Sequence, residues 1–292
     1  MHANSETALV AITFGIGSDS MENGEPALYL FCFARSDAVR EVQGTAVDGH
    51  SPLSIIRHSP DLCAVLSEVA REDFCGPAAE LHMQQLSWVA PRAVRHEAVI
   101  EGVMAYSPVL PVPFGTLFSS LKALTEFVDQ NRETIALFLR RVADHGEWSV
   151  KGCFDRRQAQ RALLSARLTA EQKQLSALPP GKRHFAEQRI GRDIERDLSI
   201  WLDRTCRTIA SDLTGYASDF RECASSPCAH SESGAEEVLN WAFLLPESAI
   251  GPFQEHLKQA NLDCQSQGLL LQLSGPWPPF RFVPALSSTG AP

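Results

Sequence analysis

The sequence contains no apolar run long enough to cross a bilayer. Its longest apolar stretches, such as residues 9–16 and 269–273, fall far short of the roughly 20 residues that a membrane-spanning helix needs. The first of these stretches follows Glu6 and lacks a preceding basic segment, so it is not typical of a secretory signal. We therefore expect a cytoplasmic protein without a membrane partner.

The sequence is also poor in positive charge. Its formal net charge is −9 and its pI is about 5.5. Nucleic-acid binding draws much of its free energy from counterions that a basic surface releases. This composition therefore does not favour DNA or RNA as a partner.

Signatures of catalysis and of cofactor binding are lacking. His96-Glu97 begins like a zinc-protease helix, but Ile100 stands where the second histidine is needed. A helix-surface ion pair with Arg92 or Arg95 explains these two residues better. Gly15 and Gly17 do not complete a dinucleotide fingerprint, and phosphate-loop and nucleophile-elbow motifs are absent. We expect no enzyme activity, no catalytic or cofactor-binding residues and no cofactor.

The eight cysteines leave one alternative open. They are spread along a chain that has enough apolar residues to build a core, so free thiols are expected. Cys223, Cys228 and His230, with Cys206 as a fourth ligand, have donor types that suit zinc, although their spacing is loose. The alternative function is thus a zinc-dependent or small-molecule enzyme, and the main expectation is no metal.

The composition is that of a folded chain large enough for two domains. Hydrophobic residues make up 44% and charged residues 21% of the 292 residues. Gly15, Gly17 and the segment 18–24 form a polar, glycine-rich run, which predicts a flexible arm over residues 1–26. Apolar residues recur at helical spacing up to Gly146 and alternate with polar residues directly after it. We therefore divide the rest of the chain into two domains, residues 27–146 and residues 147–292.

The first domain mixes strand and helix patterns. Apolar runs bounded by turn residues predict strands at 27–34 and 62–69. Helical spacing predicts helices over 78–89, 96–106 and about 117–142. Three prolines within Pro108–Gly115 exclude a helix there and predict an extended edge or connector. These elements indicate an α+β domain.

The pattern of the second domain predicts a strand, two long helices, a strand, a helix and a strand, in that order. Alternation in 147–155 sends Trp148, Val150 and Phe154 to one face of a strand. Further patterns predict helices at 156–175, 182–213 and 246–261, a loop at 217–236, and strands at 237–245 and 262–274. This order resembles a ferredoxin-like α+β unit with an enlarged helical crossover, followed by a proline- and aromatic-rich tail.

Five segments, in this order, resemble the signature of the gas vesicle protein F/L family. They are His96–Glu101, Ser107–Thr116, Gly146–Lys151, Pro180–Ala186 and Leu273–Phe280, and the resemblance spans about residues 27–283. Pro113 stands where that family commonly has arginine, and His184-Phe185 stand where it often has tyrosine and leucine.

The resemblance implies an accessory protein of gas vesicle assembly located at the gas vesicle in the cytoplasm. It implies two α+β domains, the second a modified ferredoxin-like one. It also implies that the partners are the hydrophobic shell protein and other accessory proteins, and a minor structural role is possible.

A protein that holds an apolar subunit needs an apolar groove or sheet edge with a polar rim. Rigid proline and aromatic segments dock with little loss of conformational entropy, so the residues that we expect to contact a partner come from two such segments. They are Pro111, Pro113, Phe114, Trp277, Pro278, Pro279 and Phe280. In the competing interpretation, these residues seal a domain junction or cap a core. The usual tendency of aromatic side chains to be buried favours this interpretation.

Overall fold

A computed structural model describes residues 26–176, 179–224 and 235–287. Within it the chain groups into two units, one reaching Glu147 and rejoined by the tail from Pro276, the other comprising Trp148–Gly275. Most of the predicted arm, residues 1–25, lies outside the described residues. That the two units fold independently stays a prediction.

The first unit contains an antiparallel sheet built on a central apolar strand. Strand β1 pairs with β3 along its length and with two short strands on its other side, in the order β2-β3-β1-β4, with β5 also on β1. The strands are β1 (Ala27–Ala34), β2 (Leu53–Ser59), β3 (Leu62–Val69), β4 (Val109–Pro111) and β5 (Leu117–Phe118). Aromatic and aliphatic residues fill β1, which suits a strand covered on both faces.

Four helices accompany this sheet, α1 (Arg71–Phe74), α2 (Pro77–Met83), α3 (Leu86–Met104) and α4 (Leu121–Arg141). Pro77 occupies the first turn of α2, where its missing N–H costs nothing. Ser120 caps α4 by accepting a hydrogen bond from the Ala123 N–H at 3.2 Å. Helices α3 and α4 bury apolar stripes, as their periodicity predicts.

The second unit has the ferredoxin-like order of elements. They are β6 (His145–Phe154), α5 (Arg156–Ser176), α6 (Pro180–Thr214), β7 (Asp219–Glu222), β8 (Glu236–Pro246), α7 (Ile250–Cys264) and β9 (Leu269–Trp277). The sheet order is β7-β8-β6-β9, so the first strand of the unit lies between the third and the fourth. The α+β class and the ferredoxin-like second half are confirmed.

Trp148, Val150 and Phe154 enter the core of the second unit, as the alternation in β6 predicts. The polar face of β6 differs from the expectation, since Glu147 and Ser149 are buried as well. Burial of a carboxylate requires a counter-charge, and Arg281 supplies it. Cys153 on the same strand is disulfide-bonded, which is an exception to the expectation of free thiols, because spacing alone does not show which thiols meet. Cys32, Cys63, Cys75, Cys206 and Cys264 carry free thiols, as expected.

Several boundaries and short strands differ from the sequence-based prediction. Leu117 lies in β5 rather than in α4, and β2 and β7 were missed. Residues 262–264, predicted as strand, complete helix α7. Very short strands carry too few residues for a period to show, and their pairing depends on residues far away in sequence.

The tail returns to the first unit, whereas the sequence-based division assigned it to the second. The side-chain amide of Asn131 on α4 donates to the Ser287 carbonyl at 3.0 Å and accepts from the Ser287 N–H at 2.8 Å. Arg281 binds Glu147 through its backbone and its side chain. These hydrogen bonds hold the tail from both ends of the segment 281–287.

Candidate functional site

The two segments predicted to contact a partner meet at one histidine of the first unit. The ring of Phe114 lies 5.8 Å from the ring of His96, edge-on, and the ring of Phe280 lies 6.5 Å from it, on the basis of ring centroids. Tyr29, Phe31 and Phe74 complete this aromatic cluster, with Tyr29 at 5.6 Å from His96. Sequence positions almost two hundred residues apart thus share one core.

His96 is the hydrogen-bonding centre of the cluster. Its Nε2–H donates to the Val112 carbonyl at 3.0 Å, so its Nδ1 is free to accept the Tyr29 hydroxyl proton, also at 3.0 Å. Only 2% of the His96 surface is exposed. The expectation that His96 lies on the helix surface is therefore wrong, and this residue instead ties α3 to β1 and to the proline-rich segment.

A turn at residues 113–116 closes the network. Gly115 has φ of +85°, a conformation that favours glycine, and its N–H donates to the Tyr29 hydroxyl oxygen at 3.1 Å. The Thr116 hydroxyl donates to the Pro113 carbonyl at 2.7 Å. The Pro-Phe-Gly-Thr sequence therefore serves to place one backbone N–H inside an aromatic core.

Burial fixes the protonation states in this network. Desolvation lowers the pKa of His96 to about 4, against a partial opposing effect of its bond to Val112. Desolvation likewise raises the pKa of Tyr29 far above its usual value. A neutral imidazole and a neutral phenol, both fully hydrogen-bonded, are typical of a structural core rather than of a proton-transfer site.

The turn between α2 and α3 carries the most exposed leucines among the described residues of the first unit. Leu81 is 62% exposed at the end of α2, and Leu86 is 73% exposed at the start of α3. We call residues Leu81–Trp88 the α2–α3 corner. Trp88 connects this corner to the aromatic cluster, because its ring lies 5.4 Å from Phe74, which in turn lies 6.2 Å from Phe114.

The rim of the α2–α3 corner is polar. Glu80, Gln84 and Gln85 are exposed beside the two leucines. The Arg92 guanidinium lies 4.0 Å from the centre of the Trp88 ring, and its Nη1 donates to the Trp88 carbonyl. An apolar centre surrounded by polar side chains is the arrangement that protein-binding patches commonly have.

The predicted contact residues differ in their accessibility. Pro113, Phe114, Trp277 and Phe280 are half-buried, whereas the remaining three are buried, namely Pro111, Pro278 and Pro279. Pro111 lies in β4 opposite Cys32 of β1. Sequence reasoning did not find Leu81, Leu86 or the role of His96, because a lone leucine or histidine in a helical pattern gives no sign of its exposure.

Two of the four candidate zinc ligands are described. Cys206 lies half-buried on α6, where desolvation raises the pKa of its thiol to about 11. Cys223 follows β7, and Cys228 and His230 lie outside the described residues. Within the described ranges no group of three or more His, Cys, Asp or Glu side chains is placed to hold a metal. The zinc hypothesis stays a prediction.

None of the helices in the described part of the chain is long and apolar enough to cross a membrane.

The fold and the site define an α+β protein with a structural aromatic core and an exposed apolar corner. Gas vesicle protein L of Streptomyces sp. (strain CB03234) is 25% identical over 244 residues, which cover 80% of this chain and 84% of that protein. The crystal structure of gas vesicle protein GvpF from Anabaena sp. PCC7120 matches with a TM-score of 0.62 at 18% identity, covering 91% of this chain and all of that one.

GvpF from Microcystis aeruginosa has the same fold, with a TM-score of 0.59 at 16% identity and coverage of 89% and 99%. Residues 27–284 match the family of gas vesicle synthesis protein GvpL/GvpF. Since this match spans most of the sequence, the chain belongs to the GvpL/GvpF family.

Proposed function

We propose that this protein is an accessory factor that supports assembly of the gas vesicle shell by binding the hydrophobic shell protein and other accessory proteins. Membership of the GvpL/GvpF family supports a role in gas vesicle synthesis. The observation that carries the binding hypothesis is the exposure of Leu81 and Leu86 on one turn. Water is excluded from such leucines only when a partner covers them.

The half-buried rings beside the α2–α3 corner extend the proposed docking surface. Phe114 and Phe280 are half-buried, and each packs its ring against His96, so partner binding needs little reordering of either side chain. Pro113 and Trp277 remain contact candidates on the same grounds. Pro111, Pro278 and Pro279 support the surface from within, because they are buried.

The polar rim suits a partner that must be released again. A patch with two exposed leucines and a charged margin binds an apolar subunit transiently, whereas permanent interfaces bury larger apolar areas. This favours a protein that holds the shell subunit before assembly. It is also compatible with a minor structural component in the finished vesicle.

Vesicle formation in a host that carries every other vesicle gene tests this function. We expect Leu81→Ser with Leu86→Ser to reduce vesicle number strongly. Leu121→Ser with Leu137→Ser is the matched control, because those leucines of α4 are 51% and 53% exposed but lie outside the corner. Normal vesicles with the corner variant, or in the absence of the protein, would contradict the proposal.

A further inference from the structure

Helix α6 carries an exposed stripe that the proposed function does not use. The residues on it are spaced three or four positions apart along 23 residues of the helix. We call it the α6 stripe, and its members are Phe185, Arg189, Arg192, Arg196, Ile200, Asp203 and Arg207. The opposite side of α6 is buried in the core of the second unit, through residues such as Ile194 and Leu198.

Both ends of the basic part of the stripe carry a large apolar side chain. Phe185 is 72% exposed and Ile200 is 60% exposed. The two are fifteen residues apart, which corresponds to about 22 Å along a helix. The three arginines between them all point to solvent on the same face.

Asp203 and Arg207 of the stripe pair with each other at 2.8 Å, whereas the positive charge of Arg189, Arg192 and Arg196 is only partly neutralised within the described residues. Arg189 and Arg196 lie 3.9 and 3.7 Å from Asp193, and Arg192 has no acidic partner within 4 Å among the described residues. Asp197 lies 3.7 Å from Arg196 but binds Arg167 of α5 at 2.7 Å. Exposed pairs at these distances leave most of the positive potential available to a partner.

The charge distribution of the whole chain sets this region apart. Residues 156–214, which include α5 and α6, carry 12 Lys and Arg against 7 Asp and Glu. The remaining 233 residues carry 14 and 28. A basic helical hairpin in an acidic protein attracts a negatively charged partner and orients it.

We propose that the α6 stripe binds an acidic amphipathic helix of a partner protein. Carboxylates of that helix would face Arg189, Arg192 and Arg196, and two apolar residues would cover Phe185 and Ile200. Two copies of this chain do not pair through the stripe, because arginine would face arginine. Apolar anchors at both ends favour a protein helix over nucleic acid, which offers phosphates but no apolar side chains.

A synthetic peptide tests this proposal without the shell protein, so its outcome is independent of the proposed function. The probe is a Glu-rich helix of roughly 22 residues with two leucines fifteen positions apart. Fluorescence anisotropy with the full chain measures its affinity. We expect binding that weakens about tenfold between about 50 and about 300 mM salt, and no binding of a scrambled or a Lys-for-Glu peptide.

Variants separate the charges from the apolar anchors. Arg192→Glu with Arg196→Glu should weaken peptide binding at least about tenfold, and Phe185→Ala with Ile200→Ala should weaken it about fivefold at either salt concentration. Arg40→Glu with Lys122→Glu, both exposed in the first unit, should leave it unchanged. Circular dichroism confirms that each variant folds.

Three results would overturn the proposal. The first is equal affinity for the scrambled peptide, and the second is an equal loss in the control variant. The third is tighter binding of duplex DNA or of vesicles containing phosphatidylglycerol than of the acidic peptide.

Discussion

Glu147 and Arg281, which are 134 positions apart, form an ion pair in which the carboxylate is buried and the guanidinium reaches the surface. The Glu147 carboxylate accepts one hydrogen bond from the Arg281 backbone N–H at 3.0 Å and another from Nη1 at 2.6 Å. The carboxylate is 1% exposed. One of the two attachments of the tail therefore depends on a single buried charge at the start of β6.

Loss of the arginine should destabilise the protein more than loss of an exposed partner. Arg281→Ala leaves the Glu147 carboxylate buried without a counter-charge, and we expect the free energy of unfolding to fall by about 3–5 kcal/mol. Urea denaturation measures this change. Arg35→Ala, which removes an exposed ion pair with Asp37, is the control and should cost less than about 1 kcal/mol. Equal effects of the two variants would contradict the proposed role of the pair.

The second attachment of the tail is the Asn131 side chain, which makes two hydrogen bonds with the Ser287 backbone. Asn131→Ala removes both, so hydrogen exchange in residues 280–287 should become faster by at least about tenfold. Gln130→Ala changes the exposed neighbour on the same helix and should leave the exchange as it is. Unchanged exchange in Asn131→Ala would mean that Glu147 alone holds the tail.

The buried histidine makes stability depend on pH. The pKa of His96 is lowered from 6.5 to about 4 in the folded protein, so between these values the unfolded chain binds one more proton than the folded one. The stabilising effect of neutral His96 is complete above pH 6.5 and is lost as the pH falls towards 4, a difference of about 3 kcal/mol.

Urea denaturation between about pH 7 and about pH 4.5 measures this dependence. In His96→Gln the slope in that window should decrease by about 1.4 kcal/mol per pH unit. Gln130→Ala, an exposed change on α4 that removes no titratable group, should leave the slope as in the wild type. An unaltered slope in His96→Gln would show that His96 titrates normally in the folded state.

A pair of glycines tests the packing of the second unit. Gly268 has φ of +85°, and a Cβ there would lie 2.8 Å from the Asp155 carbonyl oxygen. We expect Gly268→Ala to lower the free energy of unfolding by about 1–3 kcal/mol. Gly251 lies in α7 with open space around it, so Gly251→Ala should stabilise by up to about 1 kcal/mol. Thermal denaturation of both variants measures these changes in stability. If both substitutions stabilise the protein, or both destabilise it, the left-handed turn at Gly268 is contradicted.

The sequence predicted those elements whose signal is local. Strand β1 is an unbroken apolar run and β3 begins with five apolar residues, and α6 has a helical stripe that extends over several turns, so neighbouring residues are sufficient to identify them. Strand β2 was not predicted, because its mixture of polar and apolar residues has no clear period. Its extended conformation depends on pairing with β3.

The candidate site was predicted only in part for the same reason. Phe114 and Phe280 were predicted from the sequence as rigid aromatic residues. They meet because both pack against His96, which accepts a hydrogen bond from Tyr29, a residue 67 positions away in the sequence. Nothing local distinguishes this histidine from one on a helix surface. The exposure of Leu81 and Leu86 likewise follows from how α2 and α3 meet, which periodicity does not reveal.

The most direct test of the proposed function is the affinity of the purified protein for the shell protein, kept soluble as a fusion and immobilised on a sensor. Removal of two exposed leucines from the interface should weaken binding by at least about tenfold, since each buried leucine contributes about 1.5–3 kcal/mol. We predict that loss for Leu81→Ser with Leu86→Ser and wild-type affinity for Leu121→Ser with Leu137→Ser. Equal affinities for both variants, or no binding by the wild-type protein, would contradict the account.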